Sequence, residues 1–389
     1  MEEALCPLSP TLVRLFLLFL RLGLTAFGGP AMIAYIRDLA VGREKWLARE
    51  DFQDGVALCQ MIPGATAMQV AAYVGLRVRG VGGAVVSYVG FGLPAFLLML
   101  GLSVLYSRTH TLPLVVAAFS GLQALIVAVV ANAAFSFGRT TLTGWRQGGI
   151  ALIVAALFWL RVHPVLILLL ASLLGMALSG RQVEKKQVGS QAIIPAALLP
   201  LFALIAAAGA ALALLLCFSP ALAQLAMLMA RIDLMAFGGG FASVPFMFHE
   251  IVEVRSWLEA STFLDGIALG QFTPGPIVIT ATFVGYLLHG IAGAGIATVA
   301  IFLPSLLLVI GIAPYFSRLR ASLWFSRAIS GVLCAFVGLL ATVTIRFALQ
   351  VHWDGLHLFL GIAALLALVR KVDILWVIVA GTVISMFFL

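Results

Sequence analysis

Phe52-x-Asp54-Gly55-x-Ala57-Leu58-x-Gln60-x2-Pro63-Gly64 returns in the second half of the chain as Phe263-x-Asp265-Gly266-x-Ala268-Leu269-x-Gln271-x2-Pro274-Gly275. Upstream, Arg21-x5-Phe27-Gly28-Gly29 matches Arg231-x5-Phe237-Gly238-Gly239, and Trp46-Leu47 matches Trp257-Leu258. Downstream, Val74-Gly75, Gly80, Gly83, Leu93-Pro94 and Ser107-Arg108 meet Val284-Gly285, Gly290, Gly293, Leu303-Pro304 and Ser317-Arg318. Ordered matches in Trp, Pro, Gly and Asp go beyond shared hydrophobicity and mark an internal duplication.

The medium in which the two copies fold follows from composition. Apolar residues make up 63% of the chain and charged residues 10%, against roughly 25% charged in soluble domains. Runs 84–105, 113–137, 192–217, 293–316 and 328–349 approach or exceed the ~20 apolar residues that span hydrocarbon as a helix. The expected fold is therefore an all-α polytopic membrane protein in which the lipid bilayer is the first partner. The run from Thr11 to Phe27 follows Glu2 and Glu3 without a small-residue cleavage site, so no cleaved signal peptide is expected. The net charge of +8 reads as Lys and Arg collected in cytoplasmic loops rather than as a nucleic-acid surface. The four cysteines and the histidines show no metal-ligand spacing, so neither metal nor cofactor is expected.

Charge also orients the copies. Loop 37–50 carries Arg37, Arg43, Lys45 and Arg49, while its counterpart 250–261 holds Arg255 among Glu250, Glu253 and Glu259. Further on the bias reverses, with Arg108 alone in the first copy and Arg318, Arg320 and Arg327 in the second. Under the positive-inside rule the copies lie upside down relative to one another, as inverted-topology repeats. This reading divides the chain into an N-terminal membrane repeat at 11–147 and connecting transmembrane helices with a basic cytoplasmic loop at 148–217. The inverted C-terminal repeat follows at 218–350, then C-terminal transmembrane helices at 355–389. Segment 51–76 lies between two basic stretches, so it reads as a re-entrant hairpin with its tip at Pro63-Gly64. Pro274-Gly275-Pro276 is the mirrored tip. Whether 11–41 is a second re-entrant hairpin or one broken crossing stays open.

Irregular backbone at membrane depth normally lines a cavity or packs inside protein. The breaks fall at Phe27-Gly28-Gly29-Pro30, Pro63-Gly64, Phe237-Gly238-Gly239-Gly240 and Pro274-Gly275-Pro276. A helix starting beyond each break presents unpaired N–H groups and a positive dipole end, which suit an anion. Close helix packing is the plainer use of such glycines. Arg21 and Arg231 stand six residues before a break and would either hold an oxyanion or snorkel to the interface. Gln60 and Gln271, about one turn before each tip, would reach the same pocket or serve packing. Asp54 and Asp265, the acids repeated in register, would carry a coupling proton or sit at the interface near helix starts.

The string Phe27-Gly28-Gly29-Pro30, Trp46-Leu47, Phe52-x-Asp54-Gly55 and Pro63-Gly64 resembles the chromate ion transporter family in its long, two-domain form. So does Gly270-Gln271-x-Thr273-Pro274-Gly275-Pro276 ahead of Ala281-Thr282-Phe283-Val284-Gly285-Tyr286. The resemblance implies antiparallel halves and export of chromate, a sulfate-like dianion, driven by the proton gradient across the plasma (inner) membrane of a prokaryote. Two departures are Ala65 in place of the second proline of the first tip, and Ile33 near a histidine position of the family. A passive oxyanion channel and an uptake system for another small anion such as sulfate are the alternatives, and homodimer formation is left open. Walker A, GxSxG and HExxH motifs are absent, so an enzyme is not expected.

Overall fold

The computed structural model describes residues 10–26, 30–178 and 198–388. Gly28, Gly29 and the basic loop at Arg181, Lys185 and Lys186 lie outside them. The first half forms α1 (Leu12–Thr25), α2 (Pro30–Arg37), α3 (Arg49–Met61), α4 (Thr66–Thr109), α5 (Pro113–Thr141), α6 (Trp145–Trp159) and α7 (Pro164–Leu178). A connecting helix, α8 (Leu198–Phe218), follows. The second half forms α9 (Pro220–Met235), α10 (Ser243–Phe248), α11 (Ala260–Phe272), α12 (Thr280–Ile312), α13 (Phe316–Ala321), α14 (Leu323–Gln350), α15 (Gly355–Val369) and α16 (Ile374–Phe388). Among the described residues the five stretches Thr66–Thr109, Pro113–Thr141, Leu199–Phe218, Ile277–Tyr315 and Leu323–Gln350 are long and apolar enough to cross a membrane. The chain is an all-α polytopic membrane protein built from two repeats.

The repetition is visible element by element. Even local departures recur: π-helical turns at Asp38–Arg43 and His249–Val254, and left-handed φ at Lys45 and Ser256 just beyond them. The recurrence continues past residue 147, because α6 and α7 return as α15 and α16, every one of them 15 residues long. At 1.5 Å per residue such a helix is about 22 Å long, short of ~30 Å of hydrocarbon. Each short pair packs on the long helix of the other half: Gly331 and Gly338 of α14 abut the Ala171 and Ala151 carbonyls so closely that a Cβ would sit 2.1 and 2.2 Å away. Gly381 and Ser385 of α16 press likewise on Leu125 and Gly121 of α5. Small residues at helix crossings let backbones approach where lipid offers no hydrophobic drive for association.

The expected hairpins form. Asp51 pairs with Arg77 at 3.0 Å and Gly55 faces the Tyr73 ring, so α3 and the start of α4 run antiparallel around a tip at 62–65. Gly266 faces Phe283 in the same way around a tip at 273–276. At Arg79–Gly80, α4 turns sharply, with Gly80 at φ 65° and ψ −154°, a region that only glycine occupies without strain. Gly290 makes the equivalent turn in α12.

Beyond Gly80, α4 travels back along its own hairpin and on to the other one. Ser87 Oγ donates to Ala71 O at 2.8 Å, Ala95 lies against the opposite tip at Gly275, and the Tyr106 hydroxyl donates to Asp265 near the base of the second hairpin at 2.8 Å. The second half makes the reciprocal journey, with Ser305 of α12 against the Gly64 tip and Arg320 of α13 pairing with Asp54 at 2.7 Å. The two hairpins thus point at each other, tip to tip, between two long helices that run in opposite directions.

Candidate functional site

Three backbone breaks meet at this centre among the described residues. The Gly64 N–H donates to Ala236 O, at the end of α9, over 2.9 Å. Gly64 has φ 119°, and a Cβ there would lie 2.3 Å from Ser305 Cβ, so conformation and contact both demand glycine. The loop after α9 holds Gly238 and Gly239 at φ 94° and 103°. The Cβ position of Gly239 faces Thr66 Oγ1 at 3.2 Å, and that of Gly240 faces Ile277 and Val278 at 3.4 and 3.3 Å. The loop is therefore wedged between the start of α4 and the 3-10 turn Ile277–Ile279 that leads into α12.

Those helix starts are buried and lack side-chain caps. In α4 the first bond runs from Gln69 N to Ala65 O at 3.0 Å, so the N–H groups of Thr66, Ala67 and Met68 have no partner within the helix. Around Pro276 the first bond is Ile279 N to Pro276 O. Uncapped donors at buried helix starts, together with the positive dipole ends, favour an anion in the space they border.

Four polar side chains complete the centre, none of them singled out by the sequence. The Tyr88 hydroxyl bonds to Phe302 O and Ser305 Oγ, both at 2.8 Å. The Gln69 amide donates to Pro63 O and closes the tip. Asp233, 1% exposed, accepts the Ser305 N–H on Oδ2 at 2.8 Å. Ser305 follows Pro304, which lies inside α12 and takes one N–H donor out of its helical ladder. Asp233 Oδ1 and Gln69 Oε1 are buried with no hydrogen-bond partner.

The residues chosen from the sequence divide into two groups. Pro63, Gly64, Gly238, Gly239, Gly240, Pro274, Gly275 and Pro276 belong to the tips and the loop that meet here. Pro30 begins α2. Gln271 is half-buried and its Nε2 has no partner, whereas Gln60 is exposed. Arg21 and Arg231 are exposed, and Arg231 bonds His163 Nε2 at 2.7 Å. The inward face of α1 is Leu15, Phe19 and Gly23, and Arg21 lies two residues, about 200°, around the helix from it. Asp54 and Asp265 occupy the hairpin bases: Asp54 is paired with Arg320, and Asp265 is held by Tyr106 and by Gln123 Nε2 at 3.0 Å.

Asp233 was legible on different grounds. A lone acid in an apolar helix is a functional candidate in its own right, yet its counterpart is Gly23, and selection by repetition passes over it. Ser305 and Tyr88 likewise stand opposite Ala95 and Thr298.

Comparison with known proteins places this architecture. The family model described as chromate transporter matches residues 13–176 and again residues 223–386. An uncharacterized transporter of Methanocaldococcus jannaschii is 40% identical over 97% of this chain and 94% of its own length. A chromate transport protein of Cupriavidus metallidurans is 33% identical over 87% of this chain and 83% of its own. One of Pseudomonas aeruginosa is 32% identical over 95% and 90%. No solved structure matches. With two copies of the family's unit spanning nearly all of its length, the chain belongs to the chromate transporter family.

Proposed function

We propose that the chain is a secondary transporter that exports chromate, or a related sulfate-like oxyanion, across the cytoplasmic membrane of a prokaryote, energised by the proton gradient. The observation that carries this reading is the meeting of two opposed hairpin tips and the Gly238–Gly240 loop at buried, uncapped helix starts. Backbone N–H groups fixed in space can replace the hydration of a tetrahedral dianion without a buried cation of their own. Chromate as the cargo is supported by the names of the relatives from Cupriavidus metallidurans and Pseudomonas aeruginosa.

The two halves sit inverted in the membrane, one hairpin entering from each side. Support comes from the exchange of contacts, Asp54 with Arg320 and Asp265 with Tyr106, and from the opposite charge bias of loops 37–50 and 250–261. Rocking one half against the other around the tips would open the centre to each side in turn.

Chromate flux into everted membrane vesicles tests this directly. Protein-dependent uptake that an uncoupler abolishes is expected. Uptake that ignores the uncoupler and does not saturate identifies a passive channel instead, and no flux of chromate or sulfate overturns the reading.

A further inference from the structure

Asp233 is a buried carboxyl that the repeat does not explain. It lies at the end of α9, one turn before the Ala236 carbonyl that holds the Gly64 tip. Its Oδ2 is held by Ser305 N, and Ser305 also touches Gly64, so one residue bridges the carboxyl and the tip. Its Oδ1 is buried without a hydrogen-bond partner, and among the described residues no Lys, Arg or His lies within ion-pairing distance.

Among the described residues the surroundings offer no hidden counter-charge. On α9 itself Arg231 is exposed and turned to His163. From α12, Tyr286 and His289 stand near the Gly290 turn, far along the helix from Ser305. From α4 the Tyr88 hydroxyl is occupied by Phe302 and Ser305, the Cys59 thiol of α3 is buried, Cys217 of α8 is exposed, and α10 has no titratable side chain.

Around Asp233 the wall is short of side-chain donors: its two orphan atoms, Asp233 Oδ1 and Gln69 Oε1, both accept, and the orphan donor Gln271 Nε2 stands before the other tip. An oxyanion adds further acceptors and two more negative charges. A proton on Asp233 removes the like charge and turns the orphan oxygen into a donor. We propose that Asp233 is the proton-carrying group of the anion site, so that a proton and the oxyanion bind together rather than in exchange. This deepens the transport reading and rests on it.

The sign has a consequence for energetics. A dianion travelling with one proton moves a single negative charge, which an inside-negative potential drives outward. Export is then energised by the electrical part of the proton gradient, the membrane potential, while its chemical part, a more acidic exterior, opposes it.

Linkage provides the test, because an anion that raises the proton affinity of a neighbouring carboxyl must draw a proton on binding. Chromate is added to weakly buffered, purified protein at about pH 8, where chromate is itself fully ionised, and the pH change is followed alongside calorimetric binding. The wild type is expected to take up protons in proportion to chromate bound. Asp233→Asn, which keeps an acceptor for Ser305 N, is expected to bind about tenfold more tightly with no proton uptake. Chromate binding to the wild type with no proton uptake, or with proton release, overturns the proposal while leaving the transporter reading intact. Failure of the wild type to bind chromate removes both.

Discussion

The Gly64 N–H, at the tip of the first hairpin, donates to Ala236 O, where α9 of the other half ends, over 2.9 Å. One backbone hydrogen bond thereby ties the first half to the helix break of the second at the centre of the molecule. Rearrangement of the halves about this point must exchange that bond for another.

Gly64→Ala is expected to be severe. The left-handed φ of 119° and a Cβ only 2.3 Å from Ser305 Cβ together give about 2–5 kcal/mol of strain and overpacking. Gly275→Ala, at φ 135° but with only Ala95 Cβ at 2.8 Å, should cost less. Ser305→Gly should recover part of the Gly64→Ala loss, the steric part. Unfolding in detergent and chromate flux read both effects, and equal losses at the two tips would contradict the packing argument.

The two acids repeated in register should behave differently. Asp54 and Arg320 are 28% and 35% exposed, so Asp54→Ala should cost no more than about 1 kcal/mol. Asp265 is 7% exposed, and Asp265→Ala leaves the Tyr106 and Gln123 donors unpaired, a loss of about 1–3 kcal/mol. Thermal unfolding of the two variants compares them directly, and a larger loss at Asp54 would be the contrary result.

How much of this was legible in the sequence follows from what repeats. The hairpins, their Pro-Gly tips and the Gly238–Gly240 loop are backbone features imposed by glycine and proline; duplication preserved the hairpins and tips in both copies, and the loop's Phe-Gly-Gly string recurs in the sequence. The polar lining is not duplicated. Asp233 stands where the first half has Gly23, and Ser305 where it has Ala95, so symmetry of sequence hides an asymmetric centre. Arg21 and Arg231 are the converse case, repeated in register yet turned outward by their position on the helix. The four-residue stride of Leu15, Phe19 and Gly23 carried that information, and spacing to the glycine break did not.

Arg231→Ala should accordingly leave chromate affinity within about twofold, whereas Gly239→Ala, which forces a side chain toward Thr66 Oγ1 at 3.2 Å from a φ of 103°, should weaken it by tenfold or more. Equilibrium binding to purified protein ranks them, and the reverse order would return the guanidinium to the site.

Outside the spanning helices, Glu253 sits beneath Arg346, whose other nitrogen donates to Phe158 O at 2.7 Å. Burial alone would raise the Glu253 carboxyl, but the His249 hydrogen bond and the charges of Arg346, His249 and Arg161 outweigh it and hold the group below its ordinary value. A depressed carboxyl lends stability that is complete above its unfolded value and is lost as pH falls through the folded one. Melting temperature should therefore fall on acidification more steeply in the wild type than in Glu253→Gln. At neutral pH that variant should lose about 3–5 kcal/mol, because Arg346 is left buried without its partner. Parallel acid melting curves would refute the assignment.

Opposed hairpins that enter from the two sides and meet tip to tip are the centre of this account, and side-specific labelling of Lys45→Cys and Ser256→Cys tests them most directly. The two positions are equivalent in the repeats and lie just beyond the π-helical turns before each hairpin. In a background with Cys6 and the exposed Cys217 replaced, a membrane-impermeant thiol reagent should label position 45 only from the cytoplasmic side and position 256 only from the outside. Labelling of both from the same side would contradict the account.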